Sequence, residues 1–316
     1  MKALVYTGPG TIEVLECPKP TIQTPTDAIV RLIHTTICGT DLHILKGDVP
    51  NIQPGIILGH EGIGIVEEVG SAVDNFQTGD QVLISCMTSC GACRFCHKGI
   101  PSHCAKGGWT LGNSIHGTQA EFVRVPYAKL SLHLLPPSVK PQDAMILSDA
   151  FPTDLECGVL GANVQPGCSV VIIGAGPVGM AILLAARLYS PSLIVAVDID
   201  EARLAAARNL GAHATIQSSD PESLQQLLNH TQGEGYDSVI EAVGIPATFS
   251  LCQKLVAVGG RIANVGVHGT KVDLHLESLW DRNISFHYTE GPEAYATFQQ
   301  AAQHQALKVA IDFDTV

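Results

Sequence analysis

The chain has 316 residues, 46% of them apolar, enough to bury a substantial core in each of about two domains. Its 30 acidic and 18 basic side chains leave a formal charge of -12, which opposes a nonspecific grip on nucleic acid or an anionic membrane and favours small-molecule partners.

The N-terminus, MKALVYTGPG, holds one lysine and no apolar core of the length a secretion signal needs, so a cytoplasmic location is expected. The longest apolar run, around Met180 to Ala186, is interrupted by Arg187 and is too short to cross a bilayer. With 10 cysteines in 316 residues this is no small disulfide scaffold, and clustered cysteines in a cytosolic enzyme more often bind metal or take part in catalysis.

Residues 1 to about 150 are rich in short β-like runs separated by glycine and proline, among them Ile29 to Ile33, Gly64 to Val69 and Gln81 to Ile84. This half reads as a compact, strand-rich barrel. A thiol and an imidazole, Cys38 and His60, stand apart from a tight group of four further cysteines. In Cys90-Gly-Ala-Cys93-Arg-Phe-Cys96, two residues separate successive thiols, Gly91 permits a sharp turn, and Cys104 closes the set. The bacterial ferredoxin run has its fourth cysteine sooner, followed directly by proline; here Ala105 follows Cys104, which favours zinc over an iron–sulfur cluster. Four buried or disulfide-bonded cysteines are the plainer alternative. Zinc held by four thiolates has no open position and only stabilises a fold, whereas a site with fewer protein ligands can admit a substrate oxygen. The two patterns therefore predict one structural and one catalytic metal.

A domain boundary is expected near Asp149 to Gly167. Beyond it, apolar strands alternate with helical segments, the pattern of a parallel sheet covered by helices. The strand Ser169 to Ile173 runs into Gly174-Ala-Gly176-Pro177-Val178-Gly179 and then the apolar helix Met180 to Tyr189, a context that makes the glycines a dinucleotide fingerprint. Gly174 permits the tight turn, Gly176 lets the backbone approach a pyrophosphate, and Gly179 allows the helix to pack closely on the strand. The next strand, Leu193 to Val197, ends in Asp198, which can accept hydrogen bonds from the adenosine ribose. That carboxylate repels a 2′-phosphate, so NAD is expected over NADP, with Arg203 one helical turn further on. Asp198 as a mere cap of the helix near Glu201 is the competing reading. Asp237 to Glu241 and Arg261 to Val265 read as further strands around a helix from Pro246 to Val258. The turns at their ends, containing Val243 and Val265, are expected at the cofactor.

Taken together, the run Cys38-Gly-Thr-Asp-Leu-His43, the run Gly59-His60-Glu61-Gly62, the four-cysteine loop and the glycine fingerprint resemble the zinc-dependent medium-chain alcohol dehydrogenases, over nearly the whole chain and in the family's order. The resemblance implies an α/β fold: a β-rich GroES-like catalytic domain from residues 1–150 and 290–316, and a doubly wound Rossmann domain from 151–289. It implies a catalytic zinc on Cys38, His60 and Asp149, with Glu61 as an occasional ligand, and a proton path through Thr40 and His43. Thr40 as a cap of a helix beginning at Asp41 is compatible with that role. Trp109 is expected to line the substrate pocket and Thr153 to meet the nicotinamide, while Asp154 stands where relatives usually have glycine and His116 where they have aspartate.

The implied activity is hydride transfer between a small primary or secondary alcohol, or the matching carbonyl, and NAD. A polyol-, threonine- or aldehyde-directed dehydrogenase is the alternative within the family. Near the C-terminus Thr289-Glu-Gly-Pro292 leads almost directly to Glu293 through Phe298, as if an internal segment were missing, which raises a third reading: a protein that binds zinc and NAD without turnover. The strand-like Val272-Asp-Leu-His-Leu276 resembles the edge through which family members pair, so a homodimer or homotetramer is expected.

Overall fold

In the computed structural model, residues 1–47, 49, 51–268, 270–288 and 309–312 are described. The chain divides into two compact units, Met1–Asp149 with Lys308–Val316, and Ala150–Leu307.

The first unit rests on β3 (Ala28–Ile37), a strand rich in β-branched and apolar residues, most of them buried. It pairs antiparallel with β4 (Gly62–Val69), which pairs in turn with β5 (Gln81–Ile84), and β5 with β7 (Leu132–Leu134). Two strands share the other edge of β3: β6 (Phe122–Val125) lies along its first half and β14 (Val309–Asp312) along its second. Val30, Leu32, Val66, Val82, Ile84, Val123 and Val125 form the core on this sheet. A separate hairpin joins β1 (Lys2–Gly8) to β2 (Thr11–Glu16) through Gly10, whose φ of 78° suits glycine.

The second unit is a parallel sheet. Its strands β8 (Ser169–Ile173), β9 (Leu193–Asp198), β10 (Ala214–Gln217), β11 (Tyr236–Glu241), β12 (Val256–Asn264) and β13 (Ser285–Tyr288) lie in the order β10-β9-β8-β11-β12-β13. Counted within the unit this is 3-2-1-4-5-6, the Rossmann order. The uninterrupted apolar run of β8 follows from burial on both faces: Val170 and Ile172 enter one core, Val171 and Ile173 the other. The fold is thus α/β, with a GroES-like unit and a Rossmann unit.

Several boundaries differ from the sequence reading. The fingerprint helix is Pro177–Arg187, because Pro177 is pre-set for the first helical turn. The later helix stops at Leu255, and β12 starts at once at Val256. Val272 to Leu276 is not a strand: the segment is irregular, and Leu276 begins a short helix to Leu279. The Gln253 side chain donates to Asp273 O at 2.9 Å and accepts from His275 N at 2.7 Å, so an amide takes two groups that a neighbouring strand would need. The outer strand on that side is β13. The expected gap after Phe286, and the return of residues 290–316 apart from β14, lie outside the described residues. Among those described, no helix is long and apolar enough to cross a membrane.

Candidate active site and cofactor cradle

The ends of three neighbouring strands bring the first site together. Cys38 follows β3, His60 and Glu61 precede β4, and Asp149 lies beside the end of β5. Registry explains the convergence, since Thr35 stands opposite Gly62 and Gly62 opposite Ile84. Ser148 ties Asp149 to that corner by donating to Ile84 O and accepting from Gly62 N at 3.2 Å. Gly59, at φ 88°, turns the chain just before His60, and a Cβ there would come 2.7 Å from both Gln119 Cγ and Thr118 Oγ1.

Cys38 caps the helix Gly39–Lys46, and its N–H donates to Asp41 Oδ2 at 2.8 Å. The helix therefore begins at Gly39 rather than Asp41, and Thr40 occupies its first turn instead of capping it. Gln119 Nε2 also donates to Asp41 Oδ2, at 2.9 Å, which holds the cap in place.

Ligand atoms of Cys38, His60, Glu61 and Asp149 all lie within 4.8 Å of one another, and all four residues are buried. Cys38 Sγ is 3.6 Å from Asp149 Oδ2, and His60 Nε2 is 3.4 Å from the same oxygen and 3.9 Å from Glu61 Oε1. Glu61 Oε2 accepts from Thr36 Oγ1 at 2.6 Å. Burial by itself depresses an imidazole, but the adjoining Asp149 carboxylate and Cys38 hold His60 well above its usual value; burial pushes the Cys38 thiol up. Two carboxylates and a thiol out of water are costly unless a cation compensates them. His60 Nε2 is buried without a well-formed hydrogen bond, and a mixed sulfur, nitrogen and oxygen set suits zinc, so the residues fit that ion.

Thr40 Oγ1 lies 3.8 Å from Cys38 Sγ, and His43 is three residues on along the same helix. The Trp109 ring meets His60 edge-on at 6.2 Å, which puts it beside the site. Cys86, outside both sets of candidate ligands, is buried next to Asp149; burial, followed by the Asp149 charge, pushes its thiol far up. No spacing signal marks it. His116 takes a structural part, with Nδ1 accepting from Ile57 N at 3.2 Å.

The four-cysteine loop closes a second cluster, with Cys90, Cys93, Cys96 and Cys104 ligand atoms within 4.8 Å of one another. Gly91 has φ 69°, Cys93 caps the short helix Arg94–His97, and all four thiols are free rather than disulfide-bonded. Backbone N–H groups of Cys96 and Ala105 bring Cys93 down to about 6, while desolvation takes Cys96 to about 11. The tetrathiol set fits a closed zinc site.

In the second unit Gly174 has φ 105°, and a Cβ there would come 2.6 Å from Val243 Cγ2. A Cβ on Gly179 would run into the Gly174 carbonyl, whereas Gly176 has nothing within 4 Å of such an atom. Gly176 caps the helix that starts with Pro177 and Val178 and borders open space, so this helix N-terminus fits a pyrophosphate. Asp198 Oδ2 accepts from Ala175 N at 2.7 Å and Oδ1 from Asp200 N at 3.0 Å, and Arg203 Nη1 is 3.7 Å from Oδ2. The helix cap is Asp200, whose side chain accepts from Ala202 N and Arg203 N, so Asp198 is left for the turn. Val265 is buried and Val243 is 36% exposed. Thr153 is half-buried at the end of a short helix, and Asp154, which follows it, is fully buried.

Sequence patterns did not single out Glu241 as a site residue. Its Oε1 accepts from Val243 N, Gly244 N and Thr248 Oγ1 at 3.0, 2.9 and 2.6 Å, and burial raises its pKa against those bonds. Glu241→Gln would keep an oxygen for these donors but set an amide N–H in place of Oε2, against the Gly244 N–H at 3.1 Å and His268 Nε2 at 3.6 Å. It is expected to lower unfolding stability by about 1–3 kcal/mol in urea titration, and unchanged stability would refute the bracing role.

Residues 24–137 match the alcohol dehydrogenase GroES-like domain and residues 177–306 the zinc-binding dehydrogenase family. An alcohol dehydrogenase of Cupriavidus necator is 34% identical over 300 residues, covering 88% of this chain and 80% of that protein. Among solved structures, zinc dependent alcohol dehydrogenase 2 from Streptococcus pneumonia, in its apo form, superposes with a TM-score of 0.93 at 46% identity, covering 100% of this chain and 99% of that one. Alcohol dehydrogenase TADH from Thermus sp. ATN1 does so with a TM-score of 0.89 at 32% identity, covering 99% of each. The chain belongs to the zinc-dependent medium-chain alcohol dehydrogenase family and is an oxidoreductase of the zinc-type alcohol dehydrogenase kind.

Proposed function

We propose that the protein transfers a hydride between a small primary or secondary alcohol and NAD, with one catalytic and one structural zinc per chain. The observation that carries this reading is the buried meeting of Cys38, His60, Glu61 and Asp149 in a chain that also bears a dinucleotide fingerprint. Zinc held by Cys38, His60 and Asp149, with Glu61 in reach, would act as a Lewis acid that makes the alcohol hydroxyl more acidic. Thr40, 3.8 Å from the thiol, would accept the hydroxyl proton while giving up its own, and His43, three residues on along the same helix, would pass a proton toward solvent. Trp109, edge-on to His60, would supply an apolar wall for the substrate. Asp198 supports NAD over NADP, because a carboxylate repels a 2′-phosphate even with Arg203 near it.

The test is metal content measured together with NADH formation on a panel of alcohols. Zinc at two equivalents with alcohol-dependent NADH is the expected result; zinc and NAD bound without turnover on any alcohol would favour the non-catalytic reading. Polyols, threonine and aldehydes on the same panel separate the alternatives of substrate. Cysteines clustered as metal ligands support a reducing, cytoplasmic compartment. Among the described residues the outer edge of β13 carries no neighbour and Phe286 is 42% exposed, which supports a homodimer or homotetramer. A native mass equal to one chain would refute the assembly.

A further inference from the structure

A buried polar network holds the turns after β11 and β12 and takes no part in the scheme above. The order 3-2-1-4-5-6 makes a Rossmann sheet from two mononucleotide-binding halves. Asp198 ends β9 in the first, adenosine-binding half, so the ends of β11 and β12 belong to the nicotinamide half. The two turns touch closely. A Cβ on Gly244 would strike Val267 O, and one on Gly266 would strike Gly244 N and Glu241 Oε2.

His268 sits against this junction. Its Nε2 is 2.8 Å from Asn264 Oδ1 and 3.6 Å from Glu241 Oε2, and the Phe249 ring meets it edge-on at 5.8 Å. Asn264 Nδ2 donates to Gly266 O at 2.7 Å, which turns the amide oxygen toward the imidazole. The hydrogen therefore belongs on Nε2, which leaves Nδ1 as the ring's acceptor. That Nδ1 is buried with no hydrogen-bond partner among the described residues, in a side chain only 10% exposed. An acceptor buried without a donor is unfavourable, and a bound dinucleotide brings donors to this half of the sheet, namely the hydroxyls of its nicotinamide ribose and the N–H groups of its carboxamide.

We propose that His268 is a cofactor-positioning residue: Nε2–H braces the turns through Asn264 and Glu241, while Nδ1 accepts a hydrogen bond from the nicotinamide half of the dinucleotide. The proposal rests on the chain binding NAD, and the test separates the two.

Binding of NAD, ADP-ribose and ADP to the full chain is measured by titration calorimetry for the wild type, His268→Gln and His268→Asn. Glutamine keeps a donor near Nε2 but loses Nδ1; asparagine keeps an acceptor near Nδ1. The expected result is NAD binding about tenfold weaker in His268→Gln and within about threefold of wild type in His268→Asn, the range one hydrogen bond spans, with ADP unchanged in both. ADP-ribose falling with NAD assigns the donor to the ribose, and ADP-ribose held constant assigns it to the carboxamide. Two outcomes overturn the proposal: His268→Gln binding NAD as tightly as wild type, or ADP weakening in step with NAD, which would mark a purely structural histidine. A wild-type chain that binds no NAD refutes the dinucleotide reading itself.

Discussion

Cys38→Ser is expected to remove catalytic turnover by at least about a thousandfold while leaving one zinc per chain, because the loss falls on one of two separate metal clusters. Cys38 Sγ lies within hydrogen-bonding range of both Asp149 and Thr40, so it belongs at once to the metal set and to the start of the proton path. A serine hydroxyl is a poorer zinc ligand than a thiolate, and the remaining imidazole and carboxylates would hold the ion weakly. The backbone should tolerate the change. The Cys38 N–H would still donate to Asp41 Oδ2, and a serine hydroxyl caps a helix at least as well as a thiol. Metal analysis and NADH production on the purified variant check both parts. Full turnover in Cys38→Ser would remove this cluster from the reaction, and loss of both zinc equivalents would show that the two sites are not independent.

The second expectation is a split between neighbouring glycines. Gly179→Ala puts a methyl group into the Gly174 carbonyl where helix and strand meet, and should destabilise the second domain by about 3 kcal/mol. Gly176→Ala adds the same methyl group with nothing within 4 Å of it, at a φ of -75° that alanine adopts freely. That variant should unfold like the wild type, yet bind NAD at least about tenfold more weakly, because the added group occupies the space a pyrophosphate needs. Chemical unfolding and NAD titration on the two variants measure the contrast. If Gly176→Ala bound NAD normally, the cradle would lie elsewhere; if Gly179→Ala were fully stable, the close packing would not matter.

Much of this site was legible because its signals are local. The cysteine loop needs only the distances between successive thiols, and the fingerprint needs only a strand, three glycines and a helix in succession. Asp149 carries no such local mark; the family resemblance named it, and Ser148, bound to Gly62 and Ile84, shows what brings it to Cys38. The start of the first helix moved because the Asp41 side chain reaches back to the Cys38 N–H. Val272 to Leu276 alternates like a strand, but the Gln253 amide had already taken part of its backbone. Glu241 and His268 were invisible for a similar reason: a carboxylate at a strand end and a histidine after another strand become a pair only through the register of β11 on β12.

Residue order alone determined the four-cysteine pattern, the dinucleotide turn and the succession of a β-rich half by an α/β half, because each depends on patterns that short stretches of one backbone carry. Tertiary structure decided how Glu61 and Asp149 both come to meet Cys38 and His60, which cysteine lies beside them, and how the turns after β11 and β12 are braced. Those outcomes depend on strand registry and on buried groups finding partners far away along the chain, which no short stretch of sequence encodes by itself.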